Sequence, residues 1–176
     1  MQIKLETQIK NNIINFYPAA AIKIDGLRCI DGSSAAAATD LDGNLAALDG
    51  VERVLIAPDF ISISHAAAAA VEELKMLVMS EIDDYFAAPY ALSGNLSAQT
   101  EVQCAEALAD ALIRPTLNRD NGDIVIHGIK DGVMELSFTG HCAGCPYAAN
   151  TLQNVIMRTF LRYMPQIKEI RQTEAK

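Results

Sequence analysis

The chain lacks any apolar run that approaches the ~20 residues of a membrane span, although 51% of its 176 residues are hydrophobic. Its mean hydropathy is only +0.15. Residues 1–6 lack the basic and apolar stretches of a secretory signal, and no arginine precedes Arg28, as one would in an attached organelle transit peptide. These absences predict no membrane span and no targeting segment, and the length suits one medium domain or two small ones.

Basic residues are scarce, with 14 Lys and Arg against 22 Asp and Glu, which gives a net charge of −8. Residues 1–88 hold six basic and thirteen acidic side chains, or −7, and the remainder holds eight and nine, or −1. Neither half offers the basic face that nucleic-acid binding needs. The acidic half is typical of a soluble surface, and steering of a basic partner protein is the alternative.

Cysteine is also scarce, and the common catalytic patterns are absent. The four cysteines, of which Cys29 and Cys104 are isolated, do not resemble a disulfide framework, which favours a reducing compartment. There is no phosphate-binding loop and no Gly-x-Ser-x-Gly or Walker pattern. His65 and His127 have no carboxylate at a spacing that suggests acid–base catalysis. We therefore expect a protein that is not an enzyme.

The hydrophobic pattern predicts an α+β fold class, with two small α+β domains joined by a flexible linker. Each domain is expected to pack a small antiparallel or mixed sheet on helices. The first domain is predicted at residues 1–87 and the second at 100–176. Residues 88–99 include Pro89 and a Ser-Gly-Asn run without periodicity, and they are predicted to be the linker.

In the first domain, we expect strands at residues 2–9, 13–24, 51–56 and 60–64. A short helix is expected within residues 33–48, with Asp40 as its candidate cap. A long helix is predicted at residues 66–86 because its apolar residues keep one stripe. That stripe consists of Val71, Leu74, Val78, Ile82 and Tyr85.

In the second domain, residues 101–113 predict a helix that Pro115 kinks or ends. Residues 124–129 and 133–138 predict a hairpin over a turn at 130–132. A last helix is expected to hold Pro146 in its first turn and to end near Met164, and residues 167–170 predict a short strand. The expected core faces are Val102, Ala105, Ala109 and Leu112 on the first helix, and Met134, Leu136 and Phe138 on the hairpin.

Cys142 and Cys145 form the most informative motif, because they lie two residues apart between a predicted strand and a predicted helix. Such a pair has three interpretations: two buried thiols, a thioredoxin-like redox pair, or a metal site. The redox reading fits poorly, since only 31 residues follow Cys145 and Pro146 lies after the second cysteine instead of inside the pair. Metal binding is therefore favoured.

Zinc and iron–sulfur clusters both take four ligands, typically thiolates. Cys104 lies beside the apolar stripe of a predicted helix, which favours a core role, and Cys29 lies in the first domain. The simplest source of four thiolates is a two-fold dimer in which each protomer gives Cys142 and Cys145. A cluster held in this way would be accessible to solvent, which suits transfer better than storage.

The second domain contains a series of short motifs. In chain order they are residues 112–115 with Leu117, residues 120–123, 131–133, 140–146 and 151–152, and Met164 with Pro165. In order and spacing these motifs resemble the Nfu-type domain, the C-terminal domain of NifU, over about residues 100–171. The hairpin at residues 50–63 resembles, more loosely, the Nfu N-terminal domain.

The resemblance implies that Cys142 and Cys145 are the ligands of a [4Fe-4S] cluster shared across a homodimer. It implies a scaffold or carrier that works with upstream cluster assembly proteins and hands the cluster to apo iron–sulfur client proteins. The rivals are a structural zinc that bridges a dimer, a metal-free adaptor whose acidic first domain docks a client, and a thiol–disulfide oxidoreductase. The expected location is the bacterial cytoplasm, or the mitochondrial matrix for a processed eukaryotic form.

The resemblance also implies roles for four glycines: positive φ in turns at Gly122 and Gly132, and a backbone bend around the cluster at Gly140 and Gly144.

The chain departs from the family pattern at several positions without losing a thiol. Asn121 replaces a glycine, and asparagine tolerates the left-handed region. His141 stands where a small residue is usual; packing or a surface turn is expected for it, and a ligand or a modulator of cluster lability is the alternative. Tyr147 and Ala148 replace a small polar pair, and the opening strand lacks the usual Pro-Asn-Pro turn.

Overall fold

The computed structural model describes residues 2–8, 11–24, 26–32, 40–89, 92, 100–140 and 146–173. The chain divides into two units, Met1–Thr100 and Glu101–Lys176. Each unit combines one sheet with helices, so the predicted α+β class is confirmed. Within the described ranges, no helix has both the length and the apolar character needed to cross a bilayer.

The described residues of the first unit form a five-stranded antiparallel sheet and two helices. The sheet order is β1-β2-β5-β4-β3, and helix α1 contacts strand β4 and helix α2. The elements are β1 (Ile3–Gln8), β2 (Ile13–Pro18), β3 (Arg28–Asp31), α1 (Leu41–Ala46), β4 (Val51–Ile56), β5 (Ile61–His65) and α2 (Val71–Ala87).

The core of the first unit forms where the apolar stripe of α2 meets one face of the sheet. Leu74, Val78, Ile82 and Tyr85 are buried in α2, as the periodicity predicts. They join one hydrophobic cluster with residues that alternate along the strands. The cluster contributed by the strands includes Ile14, Phe16, Ile30, Val54, Ile56, Ile61 and Ile63.

Two element predictions in the first unit were wrong in extent, and one strand was missed. Helix α2 begins at Val71 instead of residue 66, because the alanines before it form a turn in which the Ala66 N–H donates to the Gly50 carbonyl at 2.8 Å. Strand β2 ends at Pro18, which has no N–H to extend the ladder. Strand β3 was not expected. Asp40 does occupy the N-cap position of α1, but its side chain makes no capping bond.

The second unit packs helices against the mixed sheet β6-β7-β8, in which β6 and β7 are antiparallel and β7 and β8 parallel. The hairpin side chains Met134, Leu136 and Phe138 are buried, as predicted. The elements are α3 (Glu101–Leu108), a π-helical segment (Ala109–Ile113), α4 (Arg114–Leu117), a 3-10 turn (Asn118–Asp120), β6 (Gly122–Lys130), β7 (Val133–Gly140), α5 (Pro146–Tyr163) and β8 (Glu169–Gln172).

The π-helical segment changes which side chains reach the core. Leu112 was predicted to face inward, but Ile113 is the buried residue, with 4% of its surface exposed. A π turn adds one residue to the helical repeat and so rotates the side chains that follow it. Pro115 lies at the start of α4, where its missing N–H costs little, and does not end a continuous helix.

The β6–β7 turn anchors the third strand of this sheet. Asp131 and Gly132 have φ of 54° and 79°, the pairing of left-handed residues typical of a two-residue type I′ hairpin. The positive φ predicted for Gly132 is therefore confirmed. The Gly132 carbonyl accepts bonds from the N–H groups of Lys168 (2.7 Å) and Glu169 (3.2 Å), so β8 begins at Glu169, two residues later than expected.

The predicted domain boundaries stay a prediction. Most of the expected linker at residues 88–99 lies outside the described residues, including the Ser-Gly-Asn run.

Candidate functional site

The cysteine pair lies in the short connection between strand β7 and helix α5. Strand β7 ends at Gly140, and α5 begins at Pro146. Residues 141–145 lie outside the described residues, so the roles expected for His141, Cys142, Gly144 and Cys145 stay predictions. The described geometry on either side defines how the chain enters and leaves this connection.

Gly140 turns the chain at the entrance to the cysteine connection. Its φ is +64°, and a Cβ atom placed on it would lie 2.1 Å from the Asn121 backbone oxygen and 3.3 Å from the Gly122 Cα. Residues with a side chain rarely adopt such a φ, and a Cβ atom cannot lie so close to the Asn121 oxygen. The backbone at Gly140 therefore requires glycine, and the bend around a cluster that was predicted for it stays a prediction.

Asn121 and Gly122 form the surface against which Gly140 packs. Asn121 adopts φ of 52°, so asparagine does take the left-handed conformation there. Gly122 was predicted to have a positive φ; that prediction is wrong, because the residue before it makes the turn. Gly122 instead pairs with Gly140 in the β6–β7 ladder, where its small size allows the close approach.

Arg114 joins the helical segment to the beginning of β6. Its guanidinium donates to Asp123 Oδ1 through Nε at 3.0 Å and to Asp110 Oδ1 through Nη1 at 2.6 Å. Nη2 donates to Glu106 and to the Ile124 carbonyl. The arginine side chain is only 15% exposed. We call Arg114 and its four acceptors the arginine cluster.

The acidic residues of the arginine cluster stabilise the charged form of Arg114. Burial opposes the charged guanidinium, but the hydrogen bonds and charges of Glu106 and Asp110 outweigh it and raise the pKa of Arg114 above its usual value. Asp123 Oδ1 also accepts the Ile124 N–H at 2.7 Å. The beginning of β6 is thereby fixed two residues from Asn121, against which Gly140 turns.

Sequence reasoning did not identify the arginine cluster, although a signal for it exists. Glu106, Asp110 and Arg114 are spaced by four residues along the helical region, and side chains at that spacing meet on one face of a helix. The contact with Asp123, in a motif that follows a turn, could only come from the fold.

A NifU-like domain model matches residues 106–171. Proteins named "NFU1 iron-sulfur cluster scaffold homolog, mitochondrial" are also similar to this chain. The one from Drosophila ananassae is 33% identical over 135 residues, covering 71% of this chain and 47% of the fly protein. The one from Drosophila virilis is 32% identical over 149 residues, covering 79% and 50%. The chain belongs to the Nfu family.

The matched region of this Nfu-family chain contains the arginine cluster, the Gly140 turn and the cysteine pair. The chain spans about half the length of the curated relatives it matches. Among solved structures, a crystal structure of a Staphylococcus aureus protein covers 47% of this chain and 99% of its own, with 16% identity and a TM-score of 0.37. That score is too low to support any argument about the fold.

The other two cysteines of this Nfu-family chain are core residues. Cys104 lies in α3 with 5% of its surface exposed, as predicted, and Cys29 lies in β3 with none exposed. They belong to different units. In the part of the chain that the structure describes, no group of three or more His, Cys, Asp or Glu side chains is arranged to hold a metal ion.

The two described histidines make local contacts. His127 lies at the bulge of β6, with its Nε2 2.9 Å from Ser137 Oγ. His65 is buried, and its Nδ1 lies 3.0 Å from the Ala66 carbonyl oxygen. These contacts suit histidines that support the sheets.

Proposed function

We propose that this chain is an iron–sulfur cluster scaffold that holds a [4Fe-4S] cluster between two protomers and passes it to apo iron–sulfur proteins. The observation that carries the proposal is the Cys142-x-x-Cys145 motif within the region matched by the NifU-like domain. The names of the relatives support the scaffold role. In this proposal the cluster is cargo, and upstream assembly proteins supply it.

The donor set of one protomer is suited to half of a cluster. Cys142 and Cys145 supply two soft thiolates, the ligands that iron–sulfur clusters prefer, and a second protomer supplies the other two. Cys145 directly precedes Pro146, the first residue of α5. A helix N-terminus favours a nearby thiolate over a thiol, so this position helps keep the ligand deprotonated.

Transfer proceeds by exchange of thiolate ligands, without a net change of oxidation state. A client cysteine gives up its proton and its sulfur forms a bond to one iron. The bond between that iron and Cys142 or Cys145 breaks, and the released thiolate takes up a proton. Four such exchanges move the cluster and leave two cluster-free protomers, because the cluster holds much of the dimer together.

The same thiolate set would also accept zinc, which makes a structural zinc dimer the principal rival. The relatives are named as scaffolds, which favours a carrier over a thiol–disulfide oxidoreductase or a metal-free adaptor. Their names also include "mitochondrial", and this supports the mitochondrial matrix as the place of action.

Anaerobic reconstitution with iron and sulfide tests the proposal. We expect a brown protein with about four iron and four sulfide per dimer, and we expect it to activate an apo-enzyme that needs such a cluster. Zinc alone in elemental analysis would favour the structural site. A colourless protein that reduces disulfides would favour the oxidoreductase, and a colourless protein without bound metal would favour the adaptor.

A pair of cysteine variants sharpens this experiment. Cys142→Ser should abolish both cluster uptake and the dimer that depends on it. Cys104→Ser is the matched control, since that thiol is buried in α3, and it should lower stability slightly and leave the cluster largely intact. Equal cluster loss in both variants would contradict the assignment of Cys142 as a ligand.

A further inference from the structure

The outer face of α5 exposes more apolar surface than a solvated helix needs. Val155, Met157 and Leu161 are 53%, 37% and 39% exposed, and they account for three of the seven large exposed hydrophobic residues in the described part of the chain. The opposite face of the same helix already packs into the core, since Ile156 and Phe160 are buried. These outward side chains are therefore not needed for packing within the unit.

This outer face also has a sign of charge opposite to that of the chain. Helix α5 contains no Asp or Glu, and its only charged residues are Arg158 and Arg162, in a chain of net charge −8. Both arginines are exposed. Arg162 lies over the Tyr163 ring at 5.2 Å and in the last turn, where the helix dipole favours a cation.

Arg158 has no such local explanation, because it lies a full turn before the last turn of the helix. Residues three and four positions apart are neighbours on a helix surface, so Val155, Leu161 and Arg162 all adjoin Arg158. The result is a basic centre bordered by apolar side chains. We call Val155, Met157, Arg158, Leu161 and Arg162 the α5 face.

We propose that the α5 face is the surface on which an apo-client protein docks, through client carboxylates that surround an exposed apolar side chain. This inference rests on the proposed function. Helix α5 starts at Pro146, next to Cys145, and a rise of about 1.5 Å per residue places Val155 roughly 14 Å along the helix from that start. The α5 face therefore belongs to the helix that begins directly after the cysteine pair in the sequence.

The size of the α5 face agrees with a short-lived complex. One helix face supplies much less than the roughly 800 Å² per partner of a stable interface, and a carrier must release its client after transfer. Complementary charge mainly raises the association rate of such encounters and makes it depend on salt.

The test compares cluster transfer to a protein with cluster loss to a small molecule. The loaded protein is mixed with an apo-ferredoxin, a small acidic protein used as the probe, and separately with a ferrous chelator. For Arg158→Glu we expect the transfer rate to the apo-ferredoxin to fall about tenfold or more and to lose most of its salt dependence. For the double variant Val155→Ser with Leu161→Ser, we expect a similar fall with the salt dependence retained.

Two controls accompany these variants. Lys168→Glu reverses an exposed charge of the same unit before β8 and should leave the transfer rate unchanged. The rate of cluster loss to the chelator should be the same in all variants. Arg158→Gln, which keeps a good helix former, should show a smaller fall in the same direction and covers the case in which the glutamate variant folds poorly.

Three results would overturn the docking surface. The first is an equal effect of Arg158→Glu and Lys168→Glu on transfer, and the second is an equal change in the chelator rate. The third is a difference in self-association, measured by sedimentation, between the cluster-free unmodified chain and the cluster-free α5-face variants. Such a difference would assign the α5 face to a second copy of the chain. If the unmodified chain takes up no cluster at all, the proposed function fails first, and the docking surface falls with it.

Discussion

At the scale of single residues, the approach to the cysteine pair depends on backbone that tolerates few substitutions. Gly140 turns the chain against the carbonyl of Asn121, and Asn121 itself has a left-handed conformation. Arg114 then holds Asp123 and Ile124, which follow Gly122 in the chain, through hydrogen bonds to the Asp123 carboxylate and the Ile124 carbonyl. A chain of close contacts thus runs from the helical region to the residue that precedes the connection.

Gly140→Ala should destabilise the second unit and impair cluster uptake. The left-handed backbone alone costs a non-glycine residue roughly 1–2 kcal/mol, and the contact of the new Cβ with the Asn121 oxygen adds to that cost. Urea unfolding measures the loss. Gly128→Ala is the matched control, because a Cβ at Gly128 meets nothing within 4 Å; equal losses in the two variants would contradict this account of Gly140.

Arg114→Met should lower the free energy of unfolding by about 2–3 kcal/mol, somewhat less than the roughly 3–5 kcal/mol of breaking a fully buried pair. The methionine keeps the apolar stem but leaves Glu106, Asp110 and Asp123 close together without their shared cation. The stability of Arg114→Lys should lie between that of Arg114→Met and that of the unchanged chain, because an ammonium group cannot bind all four acceptors as the forked guanidinium of arginine does. A lysine variant as stable as the unchanged chain, by urea unfolding, would contradict the importance of that geometry.

Residue types suggested some of this geometry but not the contacts. The left-handed tolerance of asparagine was readable at position 121, whereas the choice between Asn121 and Gly122 as the turn residue depended on the ladder that pairs Gly122 with Gly140. Acidic residues spaced by four before Arg114 signalled a helix face, but Asp123 joins it only through tertiary structure.

At the scale of elements, the edge of the first sheet has a titratable contact. Tyr17 in β2 donates to Glu6 Oε2 in β1 at 3.2 Å and accepts from the Asn15 side chain at 3.4 Å. Its ring also lies 6.1 Å from that of Phe60. Burial, followed by the negative charge of Glu6, raises the pKa of Tyr17 from 10.0 to about 12.

This shift predicts a loss of stability in strong alkali. Because the folded pKa is above the unfolded one, the folded state keeps the phenol proton longer, and the contribution of Tyr17 is fully present below its unfolded pKa and is lost as pH rises from 10.0 toward about 12. Urea unfolding at about pH 9 and about pH 11 should show a larger drop for the unchanged chain than for Tyr17→Phe. Equal drops would contradict the perturbed tyrosine.

Elements with strong periodicity could be predicted, and elements shaped by tertiary contacts could not. The stripe of α2 and the alternation of the β6–β7 hairpin place the buried residues correctly. The first residue of α2, by contrast, depends on the bond from Ala66 to Gly50, and the π-helical segment before Pro115 has no pattern of its own. At both places tertiary contacts determine the backbone conformation, although the local residues favour a regular α-helix.

At the scale of the whole molecule, the proposed site is completed only by a second chain. In our proposal each protomer contributes Cys142 and Cys145, since Cys29 and Cys104 are buried in two different units. The sequence could predict the candidate ligands because their spacing is specific, and it could not predict the arginine cluster that fixes the strand beside Gly140. The central claim is that a shared cluster joins two protomers.

Native mass spectrometry of the anaerobically loaded protein tests that claim most directly. We expect a dimer that carries one cluster of about four iron and four sulfide, and a cluster-free monomer after chelation. Mixing with Cys142→Ser chains should yield no heterodimer with a full cluster. A monomer that carries a complete cluster, a dimer that carries only zinc, or a disulfide between Cys142 and Cys145 that persists in reductant would contradict the account.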